Sequence, residues 1–141
     1  MANAIDMISK ALSTTRLRVN VLASNIANAE TTRTESGGPY KRKDVVQVAQ
    51  PVKADFASEM DKASMANPVV LGVVEDQSAP KKVFQPGHPD ADSDGYVAYP
   101  NINVVTTMTD MMSATRLYQA NVTALETARD ITTEALRISR S

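Results

Sequence analysis

The chain has 141 residues, enough for one domain of ordinary size, and a net charge of −1 from 15 basic and 16 acidic residues spread along its length. It contains no cysteine, which excludes disulfides, thiolate metal sites and cysteine catalysis together. No basic block marks a nucleic-acid partner, and two Phe, four Tyr and no Trp argue against a roomy aromatic-lined ligand site.

All five Gly and all seven Pro fall between Gly37 and Pro100. Gly and Pro punctuate structure, so the chain divides into two uninterrupted ends and a broken middle. The expected units are residues 1–36, a helix and its following loop, 37–100, a β-rich middle, and 101–141, a second helix.

The first end reads as a helix from about Asn3 to Ala29, roughly 40 Å long. Ile5, Leu12, Val19 and Ile26 recur every seven residues, and Ile8, Thr15, Leu22 and Ala29 follow three residues on. That is the a/d seam of a coiled coil, thinned by Thr15 and Ala29, which bury little. Asp6, Lys10, Arg16 and Arg18 avoid the seam. Asn20, Asn25 and Asn28, with Ser24, are mediocre helix formers; they offer amides to a partner or mark a weak last turn. The start at Met1–Met7 lacks a basic segment, and no apolar stretch of signal-peptide length follows it. The expectation is a protein that stays in the cytoplasm or leaves by a route that reads no cleaved signal. Nothing approaches the roughly 20 apolar residues of a membrane span.

In the middle, Val45–Val48, Val69–Val74, Lys82–Phe84 and Tyr96–Tyr99 read as short strands, expected to form one minimal sheet of three or four strands. Residues 53–67 fit a loop or a short helix. Pro39-Tyr40-Lys41-Arg42-Lys43 is a small basic cluster with one aromatic. It suits a solvated strand entrance, or contact with an anionic polymer such as peptidoglycan or nucleic acid. Asp90-Ala91-Asp92-Ser93-Asp94-Gly95 matches the opening of an EF-hand calcium loop. Position twelve of that loop, however, is Asn101 rather than the bidentate Glu, and Gly87-His88-Pro89 cannot close an entering helix. An acidic turn between strands is the expectation, with no metal bound. His88, the only histidine, has neither a second ligand nor a nucleophile beside it, which leaves a loop residue with a structural hydrogen bond.

The second end reads as a helix from Val104 to Ile138, roughly 50 Å long, with Asn103 as its N-cap. Met108, Met111, Thr115, Tyr118, Val122 and Leu125 form its apolar stripe. The stripe then passes to Ala128, Ile131, Ala135 and Ile138, a drift closer to a straight 3.6-residue helix than to a strict heptad. Met108, Met111 and Met112 crowd one turn, as core filling or as an adaptable interface. A helix this long needs another long helix to cover it. The fold class is therefore α+β: two terminal helices paired as a coiled-coil-like hairpin, with a small β-rich, turn-rich insertion between them.

Leu22-Ala23-Ser24-Asn25-Ile26-Ala27-Asn28-Ala29 resembles the N-terminal signature of bacterial flagellar axial proteins, the rod, hook and hook-associated family. Three further segments carry a more specific resemblance to a proximal-rod member. They are Pro39–Val46, Pro86–Asp92 with Gly95–Asn101, and Ser113–Arg116 with Tyr118–Asn121. The chain departs from most rod and hook relatives where Thr31–Gly38 intervenes before the first turn, and where Thr106 and Thr107 replace first-turn acids.

The resemblance implies a structural subunit of the basal-body proximal rod, not an enzyme. Such proteins leave through the flagellar type III export apparatus and stack helically in the periplasmic space into a hollow, torque-transmitting shaft. Partners would be copies of the chain and neighbouring rod and rod-base proteins, with no cofactor. The implied assembly interface is Ile5, Ile8, Leu12, Val19, Leu22, Asn25, Ile26 and Asn28 on the first helix. On the second it is Met108, Met111, Tyr118, Asn121, Val122, Leu125 and Ile131. The competing readings are a helical-hairpin binding module with a calcium-dependent or basic middle, and a small hydrolase using His88 and the Asp cluster.

Overall fold

The computed structural model describes residues 2–51 and 66–138. Helix α1 spans Ala2–Ala27 and helix α2 spans Val104–Ile138. Between them come strands β1 (Lys43–Pro51), β2 (Ala66–Glu75), β3 (Lys81–Phe84) and β4 (Tyr96–Tyr99). Most of segment 53–67 lies outside the described residues; its last two, Ala66 and Asn67, already belong to β2.

A side-chain amide supports the backbone at the end of α1 and at the start of α2. Asn28 Nδ2 donates to the Ser24 carbonyl at 2.9 Å, the same oxygen that accepts the Asn28 N–H at 3.1 Å, and so reinforces the last turn of α1. At the start of α2, Asn103 Oδ1 accepts from the Thr106 N–H at 3.1 Å, the expected N-cap.

The two helices pack on each other. Asn121 Nδ2 reaches Thr15 Oγ1 at 3.4 Å, and Ala29 and Val104 share the wall of one cleft, so the pair is antiparallel. Extending this register turn by turn sets Leu22 opposite Ala114 and Ile8 opposite Ala128. A large side chain thus meets a small one, which lets the backbones approach. Leu22, Ala114, Thr15 and Thr107 are all buried. Threonine is tolerated there because its hydroxyl is satisfied within its own helix: Thr15 donates to the Ala11 carbonyl at 2.7 Å and Thr107 to the Asn103 carbonyl at 2.7 Å.

The covered side of α2 keeps a seven-residue period to its end, through Ala128 and Thr132, while Ile131, Ala135 and Ile138 are exposed. The expected drift of the stripe is therefore corrected. The sequence holds two overlapping stripes, and the partner helix covers the one whose last member, Thr132, donates its hydroxyl back to Ala128 at 2.8 Å.

The strands form two separate two-stranded antiparallel sheets rather than the single sheet expected. β1 pairs with β2 from Lys43↔Glu75 to Pro51↔Ala66. Val46 faces Gly72 and Gln47 faces Val70, so Leu71 is the extra residue of a β-bulge. This hairpin lies along α1, so α1 is the middle layer between β1–β2 and α2. β3 pairs with β4 from Lys81↔Tyr99 to Phe84↔Tyr96. Among the described residues, that second hairpin packs on no other helix or strand, and α2 packs on α1 alone. The reason for two sheets lies in the chain path: Glu75 leaves β2 into a turn in which Asp76 accepts from the backbone N–H and hydroxyl of Ser78, which turns β3 away from the first ladder.

Candidate assembly surface

Among the described residues Asn25 is the most completely buried polar side chain, 1 % exposed. Its Oδ1 accepts from the Lys43 N–H at 2.9 Å and from the Tyr40 hydroxyl at 3.2 Å, and its Nδ2 donates to the Lys43 carbonyl at 2.7 Å. The Ser24 hydroxyl lies 3.3 Å from the Tyr40 oxygen. One amide of α1 thus clamps the start of β1, and the segments Leu22–Ala29 and Pro39–Val46 form a single latch. Asn28 is engaged as well, since it donates back to the Ser24 carbonyl and accepts from the Thr31 hydroxyl at 3.2 Å.

The basic cluster after Pro39 is matched by acids of the same hairpin. Arg42 reaches Asp44 at 2.8 Å and Asp76 at 3.5 Å, and Lys43 lies 3.9 Å from Glu75. The Ser78 hydroxyl and N–H, with Arg42 beside them, hold the Asp76 carboxyl below the usual aspartate value.

In the acidic turn the carboxylates serve the backbone. Asp92 Oδ1 accepts from the N–H groups of Asp94 and Tyr96 at 3.0 and 2.8 Å, and Asp90 Oδ2 accepts from the Thr32 hydroxyl at 2.8 Å. Among the described residues no three His, Asp or Glu side chains converge as metal ligands would. His88 Nδ1 accepts from the Asp90 N–H at 3.1 Å, a structural hydrogen bond.

The remaining interface candidates divide by face. Leu22 is buried, and Ile5, Ile8, Leu12, Val19, Ile26, Met111, Tyr118, Asn121, Val122 and Leu125 are half-buried, on or beside the seam between α1 and α2. Met108 and Ile131 point away from it, 48 % and 56 % exposed. Met112 and Ile138, also read from the sequence, are exposed as well, and so are Val105, Leu117 and Leu136, which periodicity missed. The signal was there: α2 has more apolar positions than one seam can hold. No helix among the described residues is long and apolar enough to cross a membrane.

Comparison with known proteins places these features. The family described as "Flagella basal body rod protein" matches residues 5–33, and "Flagellar basal body rod FlgEFG protein C-terminal" matches residues 93–138. The flagellar basal-body rod protein FlgC of Salmonella typhimurium is 36 % identical over 140 residues, covering 99 % of this chain and 98 % of its own. The chain belongs to the FlgC family. FlgC of Borreliella burgdorferi is also 36 % identical, over 96 % of this chain and 95 % of its own, and FlgC of Bacillus subtilis is 32 % identical over 98 % and 97 %. The chain is thus a structural protein of the flagellar basal-body rod, and it is not an enzyme. The first family match covers most of α1 and the loop after it, and the second covers β4 and α2. The Asn25 latch lies within the first match, and its partners Tyr40 and Lys43 lie just beyond it. The FlgC relatives, by contrast, align through the middle too.

Proposed function

We propose that this chain is a subunit of the proximal rod, exported through the flagellar type III apparatus without a cleaved signal. In the periplasmic space it stacks helically with copies of itself and with neighbouring rod and rod-base proteins into a hollow shaft that transmits torque. Residues 1–36 and 101–141 supply the axial core, and residues 37–100 form the middle domain set against neighbours.

One observation carries this reading. Among the described residues three apolar side chains are buried, Leu22, Val97 and Ala114, while fifteen large hydrophobics are exposed, eight of them on α2. A single chain with so thin a core gains its stability from surfaces it has not yet covered. Burying one such side chain contributes about 1.5–3 kcal/mol, and a helical stack repeats that gain in every subunit. The Met-rich start of α2 suits contact with several slightly different neighbours. The expected interface list thus splits into an inner set that pairs α1 with α2 and an outer set, Met108 and Ile131, that meets the next subunit.

The test is assembly. In cells lacking this chain, re-expression should restore basal bodies that contain it. Met108→Asp and Ile131→Asp should give protein of unchanged helix content that is missing from purified basal bodies. Wild-type incorporation of both variants would overturn the outer-face reading.

A further inference from the structure

The β3–β4 hairpin packs on no other element among the described residues, so loop contacts hold it in place. Val97 of β4 is fully buried, and the polar contact to the loop after α1 is at Asp90. Its carboxylate accepts from the Thr32 hydroxyl at 2.8 Å and lies 3.4 Å from the Arg33 guanidinium, with the Asp90 side chain only 21 % exposed. The Asp90 backbone is held in turn by His88, whose Nδ1 accepts its N–H at 3.1 Å. That bond requires a neutral ring carrying its proton on Nε2. His88 is the only histidine of the chain. Its half-buried ring sits edge-on to Tyr99, with centroids 6.4 Å apart, in the wall of a cleft shared with Glu30, Lys81 and Gln85.

We propose that His88 and Asp90 form a proton-sensitive clasp: neutral His88 fastens the β3–β4 hairpin to the loop after α1, and protonation of His88 releases it. A protonated ring has a donor on both nitrogens, so Nδ1 would face the Asp90 N–H donor to donor. The ring must then leave. Glu30 across the cleft and the Asp90 carboxylate beside it attract the new charge, Asp92 lies two residues on, and Lys81 and Arg33 oppose it. Pairing with Asp90 competes directly with Thr32 and Arg33 for the same carboxylate. Pairing with Glu30 takes the ring away from the Asp90 N–H. Both movements undo the clasp, while buried Val97 of β4 stays in place, so the release is local to the Asp90 loop. The contact is present where the ring is neutral and is lost where it is protonated. The clasp is independent of the rod assignment.

Nuclear magnetic resonance on the full chain tests it. Between pH 8 and 5 the amide signals of Thr32 and Asp90 should move with the same midpoint as the His88 ring. The exchange protection of the Asp90 amide should fall by up to about tenfold, the value of one ordinary hydrogen bond. His88→Asn offers a side-chain carbonyl to the same N–H two residues on without titrating, so protection should persist at both ends of the range. His88→Phe offers no acceptor and should show the released state throughout. The clasp is refuted if Thr32 and Asp90 stay flat while the ring titrates. It is also refuted if His88→Asn titrates like the wild type, or if the Asp90 amide is unprotected at pH 8.

Discussion

Asn25 and Lys43 exchange hydrogen bonds as two paired strand residues do, the side-chain amide of one standing in for a backbone unit opposite the other. The N–H and the carbonyl of Lys43 are both satisfied by this one side chain, at 2.9 and 2.7 Å. Asn25→Ala leaves both without a partner inside the fold, at a cost of about 2–4 kcal/mol. Asn25→Asp keeps the size and the acceptor for the N–H but sets a carboxylate oxygen against the Lys43 carbonyl. Both variants should melt at lower temperature than wild type at neutral pH, and Asn25→Asp should recover part of the loss in acid, where its carboxyl can donate. Equal melting temperatures for Asn25→Ala and wild type would show that the latch does not hold the hairpin on α1.

The inner and outer faces of the helical pair should fail differently. Leu22 is buried opposite Ala114, and Leu125 lies half-buried at the same seam. An aspartate at either meets no cation there, and an unpaired buried charge costs several kcal/mol. Leu22→Asp and Leu125→Asp should therefore lower helix content in circular dichroism as well as abolish rod assembly and swimming. Met108→Asp and Ile131→Asp should abolish assembly while leaving the spectrum unchanged. Motile cells carrying Leu22→Asp would mean the seam is not needed for the rod.

Gly95 closes the β3–β4 turn at φ +82°, where a Cβ would sit 2.9 Å from the Phe84 ring and 3.2 Å from Pro86. Phe84 is itself stacked edge-on to Tyr96 at 5.3 Å. Gly95→Ala adds both the left-handed backbone penalty and the clash, about 1–3 kcal/mol together. Thermal unfolding should show that loss, and exchange of the Gln85 amide, which donates to the Gly95 carbonyl at 2.8 Å, should accelerate. Unchanged exchange at Gln85 would mean that the turn absorbs the new methyl group.

The acidic turn should not bind calcium at micromolar concentration. Asp92 Oδ1 already accepts two backbone N–H groups, Asp90 is held by Thr32 and Arg33, and Asn101 stands where a bidentate Glu would be needed. Isothermal calorimetry should register no heat of specific binding. Micromolar affinity that disappears in Asp92→Asn would refute this.

Some of this protein was legible in the chain alone. The confinement of Gly and Pro to residues 37–100 marked both helices, whose observed limits, Ala2–Ala27 and Val104–Ile138, lie within a few residues of expectation, because helix interiors exclude those two residues on backbone grounds alone. Asn103 was legible as a cap for the same local reason. Pairing of the ends followed from length. What periodicity left open was which of two overlapping stripes on α2 the partner helix would cover. Thr107 and Thr132 look like surface residues until their hydroxyls are seen bonded to their own helix, whereas Ile131 and Ile138 look like core until α1 is seen on the other side. The division into two hairpins, the burial of Asn25 against Lys43 and the clasp at Asp90 join residues 18 to 58 positions apart. Such contacts are set by where the chain returns to itself in space, and local patterning carries no record of that return.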